Sequence, residues 1–260
     1  MTDWTISRAT TELLDRETSR RDGGRITDEW PELDLPTAYA IQDALLRKKI
    51  ESGETLVGVK LGLTSRAKQE RMGISSPLTA WLTDAMSLSA GAPVKLGDLI
   101  HPRVEPEIAF VMKERLQGPG ITAATALSKV GSVHAAFEVI DSRFRDFGFA
   151  LPDVVADNAS AARFAVAANA LPPEGLDLAL EACLLEVDGE IVASATGAAV
   201  QGHPAEALAL AANALSERGL AIEAGWIVLT GGLTDAVFVE KGSTITARFT
   251  NLGSVTVTGA

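Results

Sequence analysis

Cysteine, histidine and long apolar runs are all scarce in this chain of 260 residues. The single cysteine, Cys183, excludes an intramolecular disulfide and any metal site built from several cysteines. No run of about 18 apolar residues occurs, so no membrane-spanning helix is predicted. The stretch from Met1 to Arg21 mixes charges and has no apolar core. A signal peptide is therefore not expected, and the predicted location is the cytoplasm.

Basic side chains are also in short supply. The sequence has 23 Lys and Arg against 34 Asp and Glu, for a formal net charge of -11. This balance argues against nucleic acid as a partner, because binding to phosphates needs Lys and Arg, and equally against an anionic membrane surface. Long-range attraction would not bring a negatively charged substrate to such a protein, so an anion site would need a local source of positive charge.

Several catalytic signatures are missing as well. The chain has no G-x-G-x-x-G after a predicted strand, no G-x-x-x-x-G-K-[ST], no G-x-S-x-G and no H-E-x-x-H. Nucleotide binding, serine hydrolysis and zincin-type chemistry therefore have no motif in their favour. The histidines, His101, His134 and His203, lie far apart in the sequence, and a structural role is the simplest interpretation of each.

What the sequence does contain is a helical first quarter followed by a strand-rich body. Pro36 and Gly53 bracket apolar residues at helical spacing, which predicts a helix over 36–52, and a further helix is predicted over 9–20. Asp188-Gly189 is a favoured two-residue turn pair and predicts a hairpin within 183–195. The remaining predictions are a helix over 205–218 and strands over 56–63, 107–112, 136–140, 226–229, 244–249 and 254–257.

Three glutamates stand in or beside two of these strands. Glu105 and Glu107 are two residues apart, so on a strand they share a face, with Cα atoms about 6.6 Å apart. Glu138 lies between Phe137 and Val139 and should point to the face opposite them. Unpaired buried carboxylates are costly, so three together need a cation. Ligands that are all oxygen atoms favour Mg²⁺ or Mn²⁺, and favour Ca²⁺ less.

The same glutamates have a simpler interpretation. Acidic pairs at this spacing are common on half-exposed strands, so Glu105 and Glu107 could form a solvated face. Glu138 would then pair with Arg143 or Arg145. The pattern alone favours this alternative over a metal site.

Two other polar features interrupt apolar sequence. Lys60 stands within the strand predicted over 56–63, either as a charge that protects a sheet edge or as a buried functional ammonium, and the edge charge is more common. Residues 153–160 form a polar cluster, for which a turn is the simplest interpretation. The end of this cluster, Ala156-Asp-Asn-Ala-Ser160, could also present backbone N–H groups and a hydroxyl to a carboxylate.

Five motifs carry a resemblance to a known family: GLTSRAKQERMG at 62–73, PRVEPEI at 102–108, VADNAS at 155–160, GHP at 202–204 and LGSV at 252–255. Together they resemble the hydratase/decarboxylase branch of the fumarylacetoacetase-like superfamily, over the chain from about Pro36 to the C-terminus. The motif at 62–73, GPG at 118–120, the stretch 137–164 and TGGLT at 230–234 are most similar to the decarboxylases of this branch.

This resemblance implies the fold and the metal. The fold would be α+β, a mixed β-roll around a metal pocket, with a helical N-terminal region at 1–55 and a catalytic domain at 56–260. In the family's motif the metal ligands match Glu105, Glu107 and Glu138, and the ion would be Mg²⁺ or Mn²⁺.

The resemblance also implies roles for other residues. Lys60 and Asp84 match catalytic positions, with Asp84 near the pocket. Lys60, Leu61 and Ser160 would contact the substrate, and Ser160 would lie beside its carboxylate. Arg163 follows Ser160 closely and is a candidate for binding a second substrate carboxylate through both of its oxygens, although a surface arginine is the alternative.

The activity implied is that of a carbon–carbon lyase. It would decarboxylate the small 2-oxo dicarboxylate 4-oxalocrotonate (2-oxo-3-hexenedioate) to 2-hydroxypenta-2,4-dienoate, in the meta-cleavage degradation of aromatic compounds. Hydration of that dienoate is the alternative, as are a non-catalytic scaffold on the same fold and a carbon–carbon hydrolase, for which His101 is the histidine near the acidic motif. The resemblance also implies a complex with a hydratase and a homo-oligomer. A bound cation would supply the local positive charge that this acidic chain needs to bind a dicarboxylate.

Overall fold

The strands of the body form two sheets in a computed structural model that describes residues 4–74, 76–89 and 91–260. Residues 1–3 of the predicted N-terminal region lie outside the described part, as do the side chains of residues 67, 68 and 71 in the 62–73 motif. The described helices are α1 Ile6–Ser19, α2 Ile26–Glu29, α3 Leu35–Glu51, α4 Arg66–Met72, α5 Ala123–Leu127, α6 Leu151–Ala156 and α7 Pro204–Glu217. The strands are β1 Leu56–Gly62, β2 Leu78–Thr83, β3 Arg103–Met112, β4 Val130–Ile140, β5 Ala161–Val166, β6 Ala182–Val187, β7 Glu190–Thr196, β8 Ile227–Leu229, β9 Val237–Phe238, β10 Thr244–Phe249 and β11 Ser254–Thr258.

The larger sheet curls into a roll. Its strands follow the order β2-β1-β8-β3-β4-β5, with β9 also paired to β3. The sheet is mixed, because β1 and β8 run parallel while the other neighbours are antiparallel. After β2 the chain reaches the far strand β5, where the Leu88 N–H donates to the Phe164 carbonyl at 2.8 Å. The smaller sheet has the order β11-β10-β6-β7. This architecture confirms the predicted α+β class and β-roll.

Both faces of the larger sheet are covered. One face, which includes Leu61, Phe110 and Phe137, packs into the main core together with α7 and the smaller sheet. The other face carries a smaller apolar cluster that includes Ala136 and Phe164. Because successive side chains of a strand point to opposite faces, these two faces separate neighbouring residues of β1, β3 and β4.

The N-terminal helices form a separate apolar layer. Helix α3 starts at Asp34, whose carboxylate accepts the Thr37 N–H at 2.9 Å, in the usual manner of an N-cap. Leu13 of α1 and Ile41 of α3 are buried in one cluster with Phe144 and with Val155 of α6. The predicted helical N-terminal region is confirmed, while the division of the chain after residue 55 stays a prediction.

Residues 153–160 and two of the strands differ from what the sequence pattern predicted. Residues 153–160 are not simply a turn, since α6 extends through Ala156. Pro152 lies in its first turn, and the Asp153 carboxylate accepts the Ala150 N–H at 3.0 Å, which together start a helix. Strands β2 and β5 were not predicted. Every residue of β2 is buried, so the strand shows no alternation of polar and apolar residues to reveal it.

The hairpin prediction is confirmed. Strands β6 and β7 are joined at Asp188 and Gly189, which have φ values of 53° and 88°. Two successive positive φ values match the right-handed twist of the strands they join. Among the helices of the described residues, none is long and apolar enough to cross a membrane.

Candidate metal centre and substrate cleft

The three glutamates singled out by the sequence meet on one face of the curled sheet. Glu105 of β3 lies directly opposite Glu138 of β4 in the antiparallel register. Glu107 follows on the same face of β3, because residues two apart on a strand share a face. One carboxylate oxygen from each lies within 4.8 Å of the others. The alternation argument therefore predicted the geometry of this cluster.

The cluster is buried and short of positive charge. Glu107 and Glu138 are 0% and 1% exposed. Burial, together with the nearby charges of Glu138 and Glu105, raises the pKa of Glu107 well above its ordinary value. The Glu107 Oε2 accepts the Gly231 N–H at 2.7 Å, whereas its Oε1 has no hydrogen-bond partner within the described chain. A buried acceptor without a partner is costly, and it indicates a position for a bound cation.

Lys60 supplies a positive charge beside the glutamate cluster. Its Nζ lies 2.9 Å from Glu138 Oε1 and donates to the Ala159 carbonyl at 2.6 Å, and the side chain is 3% exposed. Strand β1 lies between β2 and β8, so Lys60 does not protect a sheet edge. Glu138 pairs with Lys60, not with Arg143 or Arg145, and the solvated-face interpretation is wrong on this point.

The donor set fits a divalent cation. Three carboxylates and one ammonium carry a formal charge of -2 when all are ionised. A cation of charge +2 would neutralise this group and would satisfy the unpaired oxygen of Glu107. Oxygen ligands without sulfur or nitrogen suit Mg²⁺ and Mn²⁺. The residues present therefore match the predicted cofactor.

A pair of glycines makes room for the side chains of Glu105 and Thr64. A Cβ atom on Gly232 would lie 2.1 Å from Glu105 Oε2, and one on Gly231 would lie 2.1 Å from Thr64 Oγ1. Gly231 also has a φ of +113°, which side chains rarely tolerate. In the sequence, this TGGLT motif carries only a resemblance to the family, and nothing in it assigns a role to its glycines. Two adjacent glycines one residue after strand β8 were the available signal.

Ser160 is held in the site by an unusual loop. Asn158, Ala159 and Ser160 have successive φ values of 49°, 48° and 59°, all in the left-handed region. The Asn158 side chain accepts the Trp81 N–H at 2.8 Å and donates to the Trp81 carbonyl at 2.9 Å, which fastens the loop to β2. The loop conformation turns the Ala159 carbonyl toward Lys60. The sequence singled out this segment but did not predict how it is held.

A second contact fixes the start of the loop. Arg143 donates to the Asp157 carboxylate through both its backbone and its guanidinium, and it also donates to the Asp157 carbonyl. Both side chains are buried. Arg143 is therefore committed to this loop and is not available to the glutamate cluster.

The cluster opens into a cleft of 540 Å³. Lys60, Glu105 and Ser160 line it together with Arg103, and most of its other lining residues are apolar. The apolar members include Leu63, Phe147 and Phe149. Such a cleft, apolar with a few convergent polar groups, is typical of a small-molecule site.

Three of the predicted site residues lie elsewhere. Leu61 points to the opposite face of β1 and is buried in the main core. Asp84 is exposed, and hydrogen bonds from the Thr55 and Ala85 N–H groups lower the pKa of its carboxyl. Arg163 is paired in register with Val139, so it shares the sheet face opposite Glu138, and it lines a different cleft with Ser87. None of the three lines the cleft of the metal centre within the described residues.

The fold and the metal centre together define a class of protein. The family model described as Fumarylacetoacetate (FAA) hydrolase C-terminal matches residues 55–258. The chain belongs to this family, which confirms the predicted resemblance.

Individual relatives narrow the comparison. The chain is 43% identical over 239 residues to a 4-oxalocrotonate decarboxylase of Pseudomonas putida, across 92% of this chain and 90% of that protein. It is 38% identical to a 2-hydroxyhexa-2,4-dienoate hydratase of Comamonas testosteroni, across 89% of each. A solved structure of 4-oxalocrotonate decarboxylase from Pseudomonas putida G7, complexed with magnesium and adipate, matches with a TM-score of 0.95 at 38% identity over 99% of each chain.

Proposed function

We propose that this protein is a divalent-metal-dependent carbon–carbon lyase that decarboxylates 4-oxalocrotonate to 2-hydroxypenta-2,4-dienoate, within the meta-cleavage degradation of aromatic compounds. The observation that carries the proposal is the convergence of three glutamates and Lys60 on one side of an apolar cleft. The higher identity to a decarboxylase than to a hydratase supports decarboxylation as the reaction.

The chemistry of the substrate explains why this arrangement suits it. The ketone of 4-oxalocrotonate is conjugated through a double bond to the carbon that carries the distal carboxylate. When the bond to that carboxylate breaks, CO₂ leaves and the electron pair moves through the double bond to the ketone oxygen. Glu105, Glu107 and Glu138 would hold a divalent cation, which would supply Lewis-acid stabilisation of that negative charge.

The protein's own groups orient and stabilise the reacting molecule. Lys60 is a fixed positive charge, held by Glu138 and the Ala159 carbonyl, and it adds electrostatic stabilisation as charge develops nearby. Ser160 offers a hydroxyl in the same cleft for the carboxylate next to the ketone. The apolar walls around these groups reduce the screening of both interactions. Leu61, Asp84 and Arg163 stay predictions from the sequence, and this account does not require their side chains.

The direct test is an assay for CO₂ release from 4-oxalocrotonate with Mg²⁺ or Mn²⁺, compared with the same protein treated with a chelator. We expect release that depends on the metal. A hydratase would instead consume 2-hydroxypenta-2,4-dienoate and release no CO₂, and that result would replace our proposal with hydration. The hydratase relatives, whose substrates share the same head group, make this the second candidate.

A non-catalytic scaffold can be distinguished without an assay of activity. Oxalate mimics the 2-oxo acid head and should raise the midpoint of thermal unfolding only when Mg²⁺ is present. A scaffold that lacks the site should show no such shift. Self-association and a complex with a hydratase remain proposals based on the resemblance, and size-exclusion chromatography with and without the hydratase tests both.

A further inference from the structure

Arg103 stands out among the residues of the cleft. It precedes Glu105 by two positions on β3, so both side chains lie on the face of the glutamate cluster. Its cross-strand neighbours are Ile140 on β4 and Phe238 on β9. Arg103 and Ile140 both line the cleft. The sequence motif contains Arg103, but its spacing assigned no function to it.

The guanidinium is held by aromatic rings. Its Cζ lies 4.2 Å from the centre of the Phe147 ring and 4.4 Å from the centre of the Phe238 ring. These contacts are of the cation–π type and hold the group between two rings without using its N–H donors. A guanidinium has five such donors.

The described residues supply no side-chain acceptor to those donors. The Nε of Arg103 is buried without a hydrogen-bond partner, and no acidic side chain within the described chain forms an ion pair with this arginine. Lys60, the other cation among the described lining residues, is already paired with Glu138 and Ala159. Among the described lining residues, Arg103 is therefore the cation whose hydrogen-bonding capacity is left for a ligand.

We propose that Arg103 binds the distal carboxylate of a 2-oxo dicarboxylate and so selects dicarboxylates over substrates with an uncharged end. The inference rests on the proposed function for the identity of the substrate. The Cα atoms of Arg103 and Glu105 are about 6.6 Å apart along the strand, which leaves room for a carbon chain between a head at the glutamates and a carboxylate at the guanidinium. Ile140 and Phe147 form the apolar wall beside that chain. A preorganised guanidinium can bind both carboxylate oxygens at once.

The chemistry of decarboxylation makes the role of Arg103 distinctive. The distal carboxylate is charged in the bound substrate and becomes neutral CO₂ as the bond breaks. An interaction with its charge is therefore stronger in the ground state than in the transition state. Removing it should raise KM while leaving kcat unchanged or higher, which a merely structural role would not do.

The test compares Arg103→Gln with Arg103→Lys and the unaltered protein, all loaded with Mg²⁺. Adipate, a saturated six-carbon dicarboxylate, and oxalate serve as probes in calorimetric titration. We expect Arg103→Gln to weaken adipate binding by about 10- to 100-fold, as for loss of a charged hydrogen-bond partner, and Arg103→Lys to lose part of that. Oxalate binding, Mg²⁺ binding and thermal unfolding without ligand should change little. KM for 4-oxalocrotonate should rise by a similar factor without loss of kcat.

Arg145→Gln is the matched control, because this arginine is 70% exposed and lies outside the cleft lining. Arg163→Gln tests the rival arginine that the sequence indicated. Adipate affinity that is normal in Arg103→Gln, or that is lost in Arg163→Gln instead, overturns the inference. An equal loss of oxalate and adipate binding overturns it too, because Arg103 would then act on the head group. The two proposals can be separated. If the unaltered protein released no CO₂ but its adipate binding was weakened by Arg103→Gln, the proposed function would be wrong and the carboxylate site at Arg103 would be supported.

Discussion

The strands that carry the glutamates and the loop that carries Ser160 build one cleft by opposite means. Glu105, Glu107 and Glu138 are brought together by the register of two antiparallel strands. Ser160 ends a segment in which three successive residues have left-handed φ values. Regular strand pairing determines where the glutamates lie, whereas contacts from distant parts of the chain determine where Ser160 lies.

The glutamate cluster and the Ser160 loop are stabilised in different ways. The extended backbone of the strands places these glutamates without strain. What destabilises the cluster is that like charges are brought together away from water. In the loop the destabilising contribution is conformational, and it amounts to about 1–2 kcal/mol of free energy for each left-handed residue that is not glycine. The buried contacts of Asn158 with Trp81 and of Asp157 with Arg143 offset that cost. Loss of the metal should therefore change the stability of the strands that carry the glutamates. Loss of a buried hydrogen bond should instead change the stability of the loop that carries Ser160.

The largest expected effect comes from Glu107→Gln. The amide keeps the shape but removes the charge of a buried ligand, so Mg²⁺ affinity should fall by more than about 100-fold, beyond the cost of losing an outer-shell partner. Activity should be lost with it. The metal-free variant should be at least as stable as the metal-free protein, because a buried carboxylate has been removed. Calorimetric titration and denaturant unfolding measure the two quantities.

Glu223→Gln is the control for this variant, since Glu223 is 45% exposed and forms a surface pair with Arg115. It should change stability by less than about 1 kcal/mol and leave Mg²⁺ binding intact. A Glu107→Gln protein that retained both metal and activity would show that the metal centre has been misplaced.

The same contrast explains what the sequence could and could not predict. Period-two alternation placed Glu105 and Glu107 on one face, and local composition revealed the hairpin at Asp188-Gly189. Local pattern could not show that Lys60 meets Glu138, since 78 residues separate them. Resemblance to a family supplied that part of the site. Neither source indicated Arg103, whose proposed role depends on Phe147 and Phe238 and on the absence of an acceptor for its Nε among the described residues, which only three-dimensional structure reveals.

Asn158→Ala should have the next largest effect on stability and turnover, and it should act through the Ser160 loop alone. It leaves the buried N–H and carbonyl of Trp81 without their side-chain partner, at a cost of about 2–4 kcal/mol in unfolding free energy. Turnover should fall because the Ala159 carbonyl and Ser160 lose their fixed position, while Mg²⁺ affinity should stay within about threefold of normal. Denaturant unfolding, kinetics and calorimetric titration give the three values.

Asn169→Ala provides the comparison, because the Asn169 side chain donates one hydrogen bond to the Leu252 carbonyl, at 3.2 Å, outside the cleft. It should cost about 1 kcal/mol and leave turnover unchanged. If Asn158→Ala abolished metal binding, the two halves of the cleft would not be independent, and the contrast between them would fail.

A smaller effect is expected from Gly232→Ala. The added Cβ would lie 2.1 Å from Glu105 Oε2, so the carboxylate must move away. Mg²⁺ affinity should fall by about 10-fold, as for a disturbed outer shell, with a stability loss of about 1 kcal/mol. Gly97→Ala is the matched change, because no atom lies within 4 Å of the Cβ it would add. Equal Mg²⁺ affinity in the two variants would contradict the role assigned to Gly232.

The smallest expected effect is a pH dependence of the stabilisation by Mg²⁺, which arises at the glutamate cluster on the strands. The pKa of Glu107 in the metal-free fold is raised well above 4.5 by burial and by Glu138 and Glu105. Between 4.5 and that raised pKa the folded state binds more protons than the unfolded state, so metal-free stability falls as pH rises. Mg²⁺ needs the ionised carboxylate, so its stabilising increment should grow across the same range. Thermal unfolding with and without Mg²⁺ measures this increment, and the subtraction removes the contribution of Asp157, whose pKa burial raises to about 6. In Glu107→Gln the increment should be small at every pH. An increment in the unaltered protein that did not change with pH would mean that the glutamates are already ionised before the metal binds.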